Sequence, residues 1–194
     1  MLARQKALLA ILLSCIPLSA TRASAQDTPV IAFGADYTLV RANGPPGGCS
    51  CAYLQGGNAW LSFGLTRHIS AVAEGSSQHA NNINSTGTDL TLTSFLFGAR
   101  FTVWKLGRLE PFGQVLLGGA HASGSFAPSL TSASGSANAF ASVAGGGLDI
   151  GVTQHFGVRA FEADYYFTRF SNGTTDHQNN LRISAGVFAR FGSR

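Results

Sequence analysis

Two acids stand two residues apart, Glu162 and Asp164, in the run from Val158 to Phe170. Alternate residues of an extended strand share a face, so both carboxylates project to one side, with Tyr166 and Thr168. The opposite face carries Phe161, Ala163, Tyr165 and Phe167. Carboxylates so paired can serve acid–base chemistry or a charge cluster, and their surroundings decide which. The other reactive types are five histidines and many serines. His68 and His155 fall in tight turns, His79 and His177 at loop mouths, and His121 near a strand end. A nucleophile needs an adjacent base, yet neither a Gly-x-Ser-x-Gly elbow nor a zinc-ligand spacing occurs. Cys49 and Cys51 lie beside Gly44-Pro45-Pro46-Gly47-Gly48 with no histidine close in sequence. A disulfide across one residue would be strained, and the pair reads as part of a surface loop. No catalytic, metal or cofactor residues are assigned, and the chain is expected not to be an enzyme.

The elements that position these groups begin after a leader. Arg4 and Lys6 precede an apolar run from Ala7 to Leu18, and Ala23-Ser24-Ala25 follows. That order is a secretory signal peptide, expected to be cleaved after Ala25; Leu12-Leu13-Ser14-Cys15 partly matches a lipoprotein signal instead. Residues 1–25 are thus a signal peptide and 26–194 one domain. Removing the signal takes Arg4, Lys6 and Arg22, and the net charge falls from +4 to +1. The basic balance therefore gives no support for nucleic-acid binding. Charged residues make up only 11% of the chain, against ~25% in ordinary soluble domains. Such a surface suits contact with lipid.

Eight strand-like segments follow, at about 30–41, 57–66, 69–80, 89–104, 111–122, 137–153, 156–170 and 180–191, each bounded by turn residues. Connections at 67–68, 105–110 and 154–155 are tight. Those at 42–56, 81–88, 123–136 and 171–179 are longer and rich in Gly, Ser, Asn, Thr and Pro. Short turns alternating with long loops are the pattern of an outer-membrane barrel, its turns in the periplasm. An even strand count would put both termini there too. The expected fold is all-β: an eight-stranded antiparallel up-and-down transmembrane β-barrel.

Strand faces sort the residues. Phe33, Phe63, Phe97, Phe101, Phe161, Tyr165, Phe167 and Val187 fall on faces expected to meet lipid. Asp36, Glu74, Arg100, Asp149, Glu162, Asp164, Arg182 and Arg190 fall on the opposite faces. Eight strands leave an interior that side chains fill, so these charges should pair. Glu162 and Asp164 are expected to meet Arg100, Arg182 and Arg190. Arg159 and Arg169 share the lipid-facing parity and bracket about 25 Å of tilted strand, where their heads would snorkel to the two interfaces. Leu90 and Leu92 break the alternation, which implies a bulge or an extension above the bilayer. The hairpin around Thr66 and His68, leading to Glu74, parallels that around Thr153 and His155, leading to Glu162. Two hairpins sharing one turn solution explain the echo.

On these features residues 27–194 resemble the small eight-stranded outer-membrane barrels of the OmpA/OmpX type. The clearest part is Gly151 to Arg159, Glu162 to Tyr166 and Leu181 to Phe191. The resemblance implies residence in the bacterial outer membrane as a monomer among its lipids, and folding by the barrel-assembly machinery. Ser184, Gly186, Ala189 and Phe191 resemble the C-terminal assembly signal, although Ala189 stands where a larger apolar residue is usual and three residues follow the aromatic. No periplasmic domain is expected after the last strand. The functional expectation is a non-enzymatic barrel with an ion-paired interior, acting in membrane structure or through its surface loops. A narrow gated pore is the alternative, mildly cation-preferring because acids outnumber arginines; a lipid-modifying enzyme is the lesser one. The membrane reading predicts extraction by detergent only, and a faster-migrating gel band that boiling abolishes. Extraction by buffer alone would overturn it.

Overall fold

The computed structural model describes residues 30–43, 51–81, 89–103, 107–126, 133–170 and 176–192. The expected signal peptide, Cys49 and most of the long connections lie outside the described residues. Among the described residues the chain forms eight strands: β1 (Ile31–Asn43), β2 (Cys51–Gly64), β3 (Ile69–Ala80), β4 (Asp89–Thr102), β5 (Leu109–Phe126), β6 (Ala133–Gly151), β7 (Phe156–Thr168) and β8 (Gln178–Phe191). Each pairs antiparallel with the next, and β8 returns to β1 to close the barrel. Closure leaves no barrel edge unpaired.

The outer wall is the apolar face. Phe33, Phe63, Phe97, Phe101, Phe161, Tyr165 and Val187 are all exposed, Phe97 to 63%. Phe167 is half-buried, its ring stacked 5.8 Å from His177. Large exposed apolar patches are foreign to a water-soluble surface; a wall of them around a closed barrel is what lipid solvates. Three strands reach further toward the loop end than alternation suggests. β2 starts at Cys51, six residues before the expected point, and the β5–β6 hairpin runs to Phe126 and Ala133, into the stretch expected as loop. Ladder hydrogen bonds to neighbours hold these segments, whose Ser, Gly and Ala residues carry no apolar alternation.

The two echoed turns are built alike. Thr66 Oγ1 accepts the backbone N–H groups of His68 and Ile69 at 3.3 and 3.1 Å. Thr153 Oγ1 accepts those of His155 and Phe156 at 3.3 and 3.0 Å. A shared local chemistry thus produces the repeated sequence.

Two expectations are corrected. The β4 ladders run without a register shift, so Leu90 and Leu92 mark no bulge. Leu92 points into the barrel, where Val40, Leu54 and Ala80 also sit near the loop end. The inward face is therefore apolar there. The bulge is in β7 instead: register shifts between Arg159 and Glu162 toward β8, and at the same place toward β6. Ala160 is the extra residue, and both it and Phe161 face outward. A bulge reverses the parity on one side of itself. Arg159, expected at the lipid interface, consequently points inward and is 1% exposed. Arg169 does stay exposed, just past the end of β7. Deleting Ala160 would set Arg159 two residues from Glu162, and plain alternation would then keep both inward without a bulge. We expect the deletion variant to fold and to lose clearly less than the ~3–5 kcal/mol of a stranded buried ion, read from its urea midpoint in lipid or detergent.

Candidate functional site

The inward residues organise around two guanidinium groups. Arg159, released from the wall by the bulge, donates from Nε to Asp149 Oδ1 at 2.9 Å and from Nη2 to Asp149 Oδ2 at 3.3 Å. Its Nη1 donates to Glu162 Oε2 at 2.6 Å and to Asp36 Oδ2 at 3.2 Å. Arg182, 0% exposed on β8, donates to Asp164 Oδ2 from Nε at 3.0 Å and Nη2 at 2.8 Å. It also binds both oxygens of Glu74 and reaches Glu162 Oε1 at 3.4 Å. The inward glutamates of the two echoed hairpins, Glu74 and Glu162, therefore meet on one arginine. Glu162 bridges the two halves, and five carboxylates converge on two cations.

Neutral groups complete the cluster. Trp60 Nε1 donates to Asp36 Oδ2 at 3.0 Å. Gln114 donates from Nε2 to Glu162 Oε1 at 3.1 Å and accepts from Arg100 Nε and Nη2 at 3.1 and 2.8 Å. Arg100 thus joins the cluster through an amide. Its guanidinium and that of Arg159 each lie 4.4–4.6 Å from the ring centroids of Trp60 and Phe112. Arginine tolerates this because its weakly hydrated plane stacks on aromatic faces. Backbone space is made for the acids by glycine: a Cβ at Gly145 would come within 2.2 Å of Asp164 Oδ1, and one at Gly186 within 2.3 Å of Asp36 Oδ1.

The partners of Glu162 and Asp164 differ in part from expectation. Arg182 holds both, but Arg159 takes the role expected of Arg190, and Arg100 reaches Glu162 only through Gln114. Arg190 instead pairs with Glu110 at 2.5 Å, half-buried near the turn end and apart from the cluster. Arg159, Gln114 and Glu110 were missed. A bulge leaves no signal in a strand's alternation, and β5 is too rich in Gly and Ala for its parity to stand out. The cluster residues are inward, not outward, because eight strands admit one layer of side chains and no more.

The remaining candidates fall elsewhere. His79 Nδ1 contacts Thr91 Oγ1 at 2.8 Å and its Nε2 contacts Asn81 Oδ1 at 2.5 Å; His121 Nδ1 contacts Asn138 Oδ1 at 2.7 Å. These exposed histidines sit on the outer face toward the loops. Of the C-terminal motif, Ser184 is buried and its hydroxyl donates to Thr38 Oγ1 at 3.4 Å. Ala189 is cross-strand from both Phe33 and Phe156 and is buried on the outer side. Phe191 stacks 5.9 Å from Phe33. A larger side chain at 189 would contend with these rings, which accounts for alanine there.

Side chains fill the lumen in layers. Val40, Leu54 and Leu92 fill it toward the loop end and the charge cluster spans its middle. A cavity of about 810 Å³ remains toward the turns. Closed antiparallel barrel, apolar exterior and side-chain-filled interior define a transmembrane β-barrel of the small outer-membrane class. Known structures agree on the fold. The crystal structure of Neisserial surface protein A (NspA) superposes with a TM-score of 0.64 at 15% identity, covering 83% of this chain and 97% of that one. Ail, the attachment invasion locus protein of Yersinia pestis, gives 0.55 at 17% identity over 86% and 99%. OprG from Pseudomonas aeruginosa gives 0.50 at 7% identity over 87% and 98%. The chain thus has the eight-stranded outer-membrane barrel fold of the OmpA/OmpX type. No family model matches the chain, and no curated protein matches it.

Removing one member of a buried pair strands its partners, at about 3–5 kcal/mol. Arg182→Leu, which leaves Glu74 and Asp164 without their guanidinium, should lower unfolding stability by that amount. Arg190→Gln at the half-buried pair should cost clearly less. Equilibrium unfolding of both variants in the same detergent gives the comparison.

Proposed function

We propose that the protein is a non-enzymatic barrel of the bacterial outer membrane whose filled interior serves as a rigid frame for its loop-end elements. The observation that carries this reading is the burial of Arg159 and Arg182 in mutual contact with five carboxylates across the lumen. Such a cluster leaves a solute no aqueous path, and the apolar layer of Val40, Leu54 and Leu92 adds a second barrier. The frame holds the long β5–β6 hairpin, which outruns its neighbours toward the loop end. Function then rests with membrane structure or with contacts made by the loops. The protein acts as a monomer embedded in outer-membrane lipids, and residues Ser184 to Phe191 present the signal read by the assembly machinery.

A gated pore is the second reading, favoured by one observation. Asn58, cross-strand from Asp36, and Gln78, cross-strand from Leu92, are buried, yet their side-chain amides reach no protein partner among the described residues. Buried polar groups of this kind are ordinarily satisfied by water, and a wetted strip next to rearrangeable ion pairs is what a narrow conduction path requires. Planar-bilayer recording separates the two. The frame reading expects no conductance above lipid background from the parent and discrete openings at most after Arg182→Leu. Cation-preferring openings in the parent would replace the frame by the pore.

A further inference from the structure

We propose that the turn-end cavity binds a small organic oxyanion, its charged group held by Arg100 and Arg108 and its body resting on Trp60 and Phe188. The cavity holds about 810 Å³, within the roughly 300–1,000 Å³ of small-molecule sites. It opens among the short turns, the periplasmic side of such barrels. All four residues line it.

The charge on its walls is uneven. Two acids line it, Glu110 and Asp149, and each is engaged: Glu110 by Arg190 and Asp149 by Arg159. Two arginines line it without such a partner. Among the described residues no carboxylate lies within ion-pair distance of Arg100 or Arg108. Arg108, in the turn before β5, is exposed at the rim. Arg100 is the more telling, because it is only 5% exposed. A buried cation is costly unless paired, and among the described residues the sole side-chain acceptor of Arg100 is the neutral Gln114. Gln114 takes two of its five N–H donors. Arg100 also borders the cavity, and the positive group of Arg159 lies over the same two rings, Trp60 and Phe112. A ligand oxyanion there would supply the missing acceptor in the planar fork geometry that arginine matches to carboxylate and phosphate.

The floor sets the rest of the ligand. Trp60 and Phe188 are buried and lie 6.1 Å apart as tilted rings. An aromatic or short aliphatic body would bury apolar surface against them, while the hydroxyls of Ser62, Ser70 and Thr102 on the walls offer further hydrogen bonds. Bare inorganic anions would use only the arginines.

The test uses the folded barrel in detergent at low salt, with Trp104→Phe leaving Trp60 as the reporting indole. Phenyl phosphate should change Trp60 emission saturably, inorganic phosphate more weakly, and benzyl alcohol at matched concentrations not at all. Arg100→Gln should weaken phenyl phosphate binding by about tenfold or more, and Arg108→Ala by severalfold. Arg67→Ala, in a turn at the same end that does not line the cavity, should bind as the parent. If Arg100→Gln loses the heat-sensitive gel band of the folded barrel, Arg108→Ala and the cavity-filling Ser70→Phe carry the test. The proposal is overturned by a response that does not saturate, by equal affinity in Arg108→Ala and Ser70→Phe, or by equal responses to phenyl phosphate and benzyl alcohol.

Discussion

Two guanidinium groups sealed inside a barrel, Arg159 and Arg182, govern how the rest of the structure is arranged. Neither can reach water from its position, being 1% and 0% exposed. Each charge must therefore be met within the lumen, because an unpaired buried ion is worth several kcal/mol of instability. The requirement propagates outward. Glu74, Asp164 and Glu162 surround one group; Asp36, Asp149 and Glu162 surround the other. Gly145 and Gly186 clear backbone space for two of those acids. The bulge at Ala160 exists on the strand that must deliver both Arg159 and Glu162 to the same interior. With Ala160 kept but no bulge, the strand could present one or the other inward, not both, since their spacing of three residues is odd in a period of two.

Much of this was open to reading in the residues, and the limits are physical. Strand number, closure, loop alternation and the outward aromatics follow from period-two patterning, which is strong wherever one face meets lipid and the other does not. The acids of Glu162 and Asp164 and the arginine of Arg182 share that patterning and were placed by it. Arg159 was not, because parity arguments carry through a strand only while the register is continuous. Its spacing from Arg169 fits the height of an apolar band, but the geometry that would support snorkelling is cancelled by a single inserted residue. Gln114 and Glu110 escaped notice for another reason. Their strand is built of small residues whose faces differ little, so alternation there has low contrast.

The interior also departs from the picture of a polar lumen inside an apolar wall. Toward the loop end its filling is aliphatic: Val40, Leu54, Ala80 and Leu92. Leucines inward with Asp89, Thr91 and Thr93 outward invert the polarity of the rest of β4, so it reads as an interrupted pattern at Leu90 and Leu92, although its pairing is regular. Layering of this kind has an energetic sense. Aliphatic packing above the ions excludes water and keeps the effective dielectric low, which strengthens pairing once every charge is satisfied and raises the penalty for any that is not. The apolar layer and the ion cluster thus reinforce each other, and neither would close the barrel as firmly alone.

The carboxylate pair on β7 can be judged in the same terms. A general acid or base needs an approach for substrate and a proton free to move. Glu162 is 0% exposed, its Oε2 accepts from Arg159, and its Oε1 accepts from Gln114 and Arg182. Asp164 Oδ2 accepts twice from Arg182, and its Oδ1 faces the glycine backbone at 145. To do chemistry either acid would have to leave a guanidinium that has no other route to water. The energy that such a move requires is the same energy that ties β7 through Arg182 of β8 to Glu74 of β3 across the lumen. In this barrel the spacing that suits catalysis in an open cleft serves cohesion, because a strand enclosed among eight gives its acids arginines for neighbours.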